Sequence, residues 1–127
     1  MTMRPPKGGI KNEMREKAMR EVILAQLGAL RADAGVEQVA CKDECVGDYL
    51  TGKTDALAVA MQMVQSRALL ETMAHFLRHE ETRNMNLAES ARLAGKDTMA
   101  RLREGAAAGY MAASRVVTEV REANEYE

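Results

Sequence analysis

The sequence predicts an all-α protein of three to four helices, dominated by a long antiparallel helical hairpin and suited to forming oligomers. Three observations lead there. Apolar residues recur at three- and four-residue steps through most of the 127 residues, the repeat of amphipathic helices. Aromatic residues make up 3%, with one Phe, three Tyr and no Trp, which argues against β-sandwiches and barrels. A run of small residues, Gly105, Ala106, Ala107, Ala108, Gly109, Ala112 and Ala113, lets a second helix approach closely, at a propensity cost of roughly 1 kcal/mol per glycine.

The elements follow in chain order. Residues 1–9 hold both prolines and a Gly-Gly pair and read as a flexible arm. The first 20 residues carry six Lys/Arg against two Glu, so the arm is basic. Residues 10–127 read as a single helical domain. A first helix is expected over about 12–34, capped by Asn12 and stopped at Gly35. Its apolar face is traced by Ile10, Met14, Ala18, Val22, Ala25 and Ala29, and widened by Ile23, Leu24, Leu27 and Leu30. Residues 36–53 are acidic, hold both cysteines and are punctuated by Gly47 and Gly52, the pattern of a loop. A second helix is expected over 55–83, with Leu57, Met61, Val64, Ala68, Thr72 and His75 on one face. Asn84-Met85-Asn86 reads as a turn. A third helix over 86–122 starts at a capping box, Asn86 with Glu89, and Gly95 is a place where it can divide.

Charge and composition narrow the function classes. Eighteen Lys+Arg against nineteen Asp+Glu give no overall electrostatic case for nucleic acid. The scarcity of aromatics removes a stacking platform for single strands. No apolar run is long enough to span a membrane, and the N-terminus lacks the apolar core of a secretory signal. A cytoplasmic location is therefore expected, with host cytoplasm implied if the gene is phage-borne. In that setting Cys41 and Cys45 are thiols or ligands.

Four motifs carry specific chemistry. Gly47-Asp48-Tyr49-Leu50-Thr51-Gly52-Lys53-Thr54 fits the phosphate-loop pattern, in which Gly47, Gly52, Lys53 and Thr54 would bind nucleotide; no strand precedes it, so a helix-capping turn competes. Leu87 to Gly95 resembles the first half of a helix-turn-helix, with Arg101 and Arg103 placed for phosphate contacts. Gly109-Tyr110-Met111-Ala112-Ala113-Ser114-Arg115-Val116-Val117 is similar, over nine residues, to the end of the helical hairpin in small phage proteins that sequester cyclic nucleotide signals. Cys41-x3-Cys45 and His75-x3-His79 together form a donor set for structural zinc, each pair one helical turn apart.

No nucleophile–base pair or paired carboxylate pattern stands out, so an enzyme is not expected. The favoured function is a non-enzymatic helical interaction or regulatory factor that binds another protein as a homo-oligomer. An accessory protein of a phage or mobile element fits that description. Gly105, Gly109, Ala112 and Ala113 are the expected oligomer contact, and the ten methionines supply adaptable surface. Two alternatives stay open: a small DNA-binding transcriptional regulator, and an oligomeric nucleotide-sequestering protein.

Overall fold

The computed structural model describes residues 9–66 and 68–125. They form four packed helices: α1 (Gly9–Ala40), α2 (Glu44–Gln65), α3 (Leu70–Leu93) and α4 (Asp97–Glu125). No strand occurs among the described residues. The basic arm expected over 1–9 lies outside them except for Gly9, which already belongs to α1.

α4 is the centre of the bundle. α2 and α3 both pack along it yet scarcely touch each other, while α1 lies on α2 and reaches α4 more lightly. Ile23 and Leu27 of α1, Leu57 and Val64 of α2, Met73 and Leu77 of α3, and Ala113 and Val117 of α4 are buried together.

The helix pattern differs from the sequence expectation in three regions. α1 runs through Gly35 to Ala40. Gly95 is the sole glycine with positive φ among the described residues, so Gly35 keeps helical geometry and stops nothing. Gln38 then ties this extension to α2 by donating from Nε2 to Thr51 Oγ1 at 2.7 Å. The expected loop 36–53 is thus confined to residues 41–43. Asp43 caps α2 there, its side chain accepting from the Cys45 amide at 2.8 Å, as an N-cap aspartate does.

The expected helix 55–83 is two helices, with α2 ending at Gln65 and α3 starting at Leu70. The break is held from α1. Arg20 donates from Nη1 to the carbonyls of Val64 (2.7 Å) and Ser66 (3.0 Å), and from Nη2 to that of Ala68. Glu16 accepts from the same Nη2 at 2.8 Å and holds the side chain in place. A guanidinium at a helix C-terminus satisfies orphan carbonyls and matches the helix dipole.

Asn84-Met85-Asn86 lies inside α3 and makes no turn. Asn84 is buried, and its Nδ2 bonds back to the Glu80 carbonyl at 2.8 Å. The turn comes at Gly95, with φ 76°. Lys96 N–H bonds the Ala91 carbonyl (2.8 Å) and Gly95 N–H that of Arg92 (3.1 Å), a Schellman cap that only glycine adopts cheaply.

α2 and α4 cross at a glycine contact. A Cβ at Gly105 would stand 2.7 Å from the Tyr49 carbonyl carbon, and one at Gly52 would stand 3.0 Å from the Ala106 amide nitrogen. Gly105 meets Tyr49 and Lys53, and Gly109 meets Lys53 and Ala56. The contacts advance together, so the two helices run in the same direction.

Candidate functional site

Because α2 and α3 stay apart, a groove of about 340 Å³ opens between them with α4 as its floor. Leu102, Ala106 and Tyr110 form the floor, Asp55 and Val59 one wall, Glu80 and Arg83 the other. Asn84 anchors the polar side, its Oδ1 accepting from Arg103 Nη1 at 3.2 Å. Arg83 pairs with Glu80 at 3.2 Å. Burial pushes the Tyr110 phenol up from its ordinary value, the Glu80 carboxylate adds to this, and Arg83 and Arg103 oppose it. Among the described residues the lining holds no Ser, Cys or His.

The second feature is a face of α1. Ile23 and Leu27 are fully buried against the bundle, but the stripe Met14, Ala18, Val22, Ala25, Ala29 is exposed. Ala32, Val36 and Val39 continue it, the last two 70% and 89% exposed. α1 is therefore apolar on two faces. The stripe that traces the helix in the sequence is the open one, and Ile23 and Leu27, which widen it there, are the packed ones.

The sequence-derived sites fall out as follows. The whole phosphate-loop match lies within α2. Gly52 is buried against α4, the Thr54 hydroxyl donates to the Leu50 carbonyl at 2.7 Å, and the backbone of Lys53 packs under Gly105 and Gly109. Gly47, Gly52, Lys53 and Thr54 thus form no phosphate-cradling loop, because their amides are committed to a helix. The two halves of the candidate zinc set are not brought together. Cys41 lies in the α1–α2 connection and Cys45 is exposed in the first turn of α2. His75 and His79 are exposed on α3, off its buried stripe. Among the described residues no three His, Cys, Asp or Glu side chains are arranged to hold a metal. Cys45 opens α2 and His75 stands near the start of α3, so most of the length of α2 lies between the two pairs.

The helix-turn-helix-like segment does turn at Gly95, but its arginines are engaged within the molecule. Arg101 donates to Asp48 Oδ2 from Nε (3.3 Å) and Nη2 (3.1 Å), which holds its guanidinium more firmly in the charged form. Arg103 is on Asn84. Gly105 and Gly109 contact α2 of the same chain. Ala113 is fully buried and Ala112 half-buried. Gly105 and Gly109 therefore serve a crossing within the chain.

Sequence reasoning missed Arg20, Asn84 and Tyr110. Asn84 looked like a turn residue, Arg20 stood in no motif, and Tyr110 was placed only in a nine-residue resemblance. No helix among the described residues is long and apolar enough to cross a membrane. Comparison with protein-family models, curated proteins and solved structures yields no match.

Proposed function

We propose that this protein is a non-enzymatic helical interaction factor that acts by binding another protein as a homo-oligomer, and that the outer face of α1 is a protein-contact surface. The observation that carries this reading is the continuous exposed apolar stripe from Met14 to Val39. At 1.5 Å per residue it runs for about 38 Å. With a helix width of about 12 Å it covers roughly 450 Å², the size at which an apolar patch on a monomer tends to be functional. The stripe sits on a helix fixed from behind by Ile23, Leu27 and Arg20, so it is presented on a rigid support.

The reading includes assembly of the protein with itself, a cytoplasmic setting in which Cys41 and Cys45 are free thiols, and a long antiparallel pairing of α3 with α4 as the stiff part of the molecule. A photo-reactive residue at Ala29 tests it, with the exposed α4 position Arg115 as control. In the cell of origin, Ala29 should capture a polypeptide that Arg115 does not. A probe at Ala29 that captures no polypeptide contradicts the reading.

A further inference from the structure

We propose that the occupant of this face is a second copy of the chain, its α1 lying antiparallel to the first around a two-fold axis between Ala25 and Ala29. The proposal rests on the reading of the α1 outer face as an interaction surface and names its partner. Three properties of the stripe carry it.

The first is spacing. Ala18, Val22, Ala25, Ala29, Ala32, Val36 and Val39 follow one another in alternating steps of four and three. That is the seam of a two-helix coiled coil, with a mean step of about 3.5 residues. All seven residues are exposed.

The second is size. With the axis between Ala25 and Ala29, Ala25 faces Ala29 of the other copy, Val22 faces Ala32, and Ala18 faces Val36. Two layers on each side of the axis thus set a valine against an alanine at even helix separation, and Val39 at each end faces Arg15 of the other copy. A parallel pair would set each residue against itself. Alanine would then face alanine in four layers and valine would face valine in three, giving voids next to bulges.

The third is charge. Outside the Arg20–Glu16 pair, which is engaged with the bundle, the first part of the helix carries Arg15 and Lys17 against Glu13. The second carries Arg31 against Glu21, Asp33 and Glu37. An antiparallel pair lays the net positive part of one copy along the net negative part of the other, whereas a parallel pair opposes like to like. An isologous contact of this kind closes at two copies. It buries on the order of 1,000 Å² in total, the lower limit for a specific interface, so the dimer should dissociate on dilution.

The experiment uses the full chain with Cys41→Ser and Cys45→Ser as background. Chains carrying Ala25→Cys are mixed with chains carrying Ala29→Cys and mildly oxidised. The expected product is the mixed disulfide dimer, in excess over the dimer either variant forms alone. Equal or greater cross-linking of each variant with itself overturns the antiparallel arrangement. In sedimentation velocity the wild-type chain should show a concentration-dependent dimer, and Ala29→Glu should weaken it about 100-fold, since two carboxylates would enter an apolar layer. Helical circular dichroism should be unchanged, because the position is exposed in the single chain. A wild-type chain that stays monomeric, or an Ala29→Glu chain that dimerises like wild type, overturns the proposal. Should the photo-reactive Ala29 chain capture a different polypeptide while the wild type stays monomeric, the second copy is excluded and the binding face stands. No capture of any kind removes both.

Discussion

Gly109 of α4 sits over Lys53 of α2 so closely that a Cβ added to it would stand 2.7 Å from the Lys53 carbonyl oxygen and 2.8 Å from the Ala56 Cβ. Neither neighbour can yield easily, because one is helix backbone and the other is buried. Gly109→Ala should therefore push the two helices apart, costing about 1–3 kcal/mol as overpacked sites do. Gly47 lies in the same helix as Lys53, and a Cβ added there would meet nothing within 4 Å. Gly47→Ala should instead stabilise by about 0.5–1 kcal/mol, through the lower entropy of the unfolded chain. Urea unfolding of the two variants should give shifts of opposite sign.

Arg20 is the clamp that ends α2. Arg20→Ala strands the carbonyls of Val64, Ser66 and Ala68 that it now serves, at a cost of about 2–3 kcal/mol for loss of charge-assisted bonds. Arg20→Lys should recover only part of this, since an ammonium lacks the planar fork that reaches several carbonyls at once. Hydrogen exchange should show the loosening at 62–70 first. Uniform loosening across all four helices would mean that the clamp is not local.

Tyr110 gives a pH signature. Burial holds the phenol above its ordinary value of about 10, so folding favours the neutral form. That stabilisation is complete below the unfolded value and is lost as pH rises through the folded one. Stability should fall as pH is raised above about 10, and Tyr110→Phe should flatten the part of that fall owed to this residue. Equal slopes in the two proteins would contradict the assignment.

Metal and nucleotide offer a fourth check. With Cys41 and Cys45 at one connection and His75 and His79 exposed on α3, a chelator should leave the melting temperature unchanged, and a thiol reagent should label both cysteines in the folded protein. With Lys53 inside a continuous helix, ATP and GTP should produce no thermal stabilisation, and Lys53→Ala should change nothing in that assay. A melting temperature that drops on chelation and returns with zinc would restore the four-ligand site.

How much of this is legible in the sequence depends on whether the cause is local. The helical class comes from apolar spacing, and the turn at Gly95 from a glycine after a helical run, both readable within a few residues. The close helix contact at Gly105 and Gly109 is legible as a contact, but the small side chains do not say whether the partner helix belongs to the same chain. The break between α2 and α3 is legible only in part: Ser66 caps α2 locally through its hydroxyl on the Met63 carbonyl, but Arg20 serves the carbonyls there from 44 residues away. Asn84 misleads for a related reason: asparagine favours turns, yet here it pairs with Arg103 across to α4. In α1 the spacing is legible and the packed face is not. Periodicity marks apolar stripes, and a helix with two of them does not announce which one the bundle will cover.

The distance between two copies of α1 tests the central claim most directly. Glu37 is exposed on α1 and off the stripe, so Glu37→Cys can take a spin label with Cys41 and Cys45 changed to serine. The antiparallel dimer places the two labels about twenty residues apart along the shared axis, about 30 Å at 1.5 Å per residue. Pulsed dipolar spectroscopy should return a peak near that distance, and it should fade on dilution and with Ala29→Glu. A peak under about 20 Å, the separation of neighbouring parallel helices with their labels, or no coupling between copies at any concentration, would contradict the account.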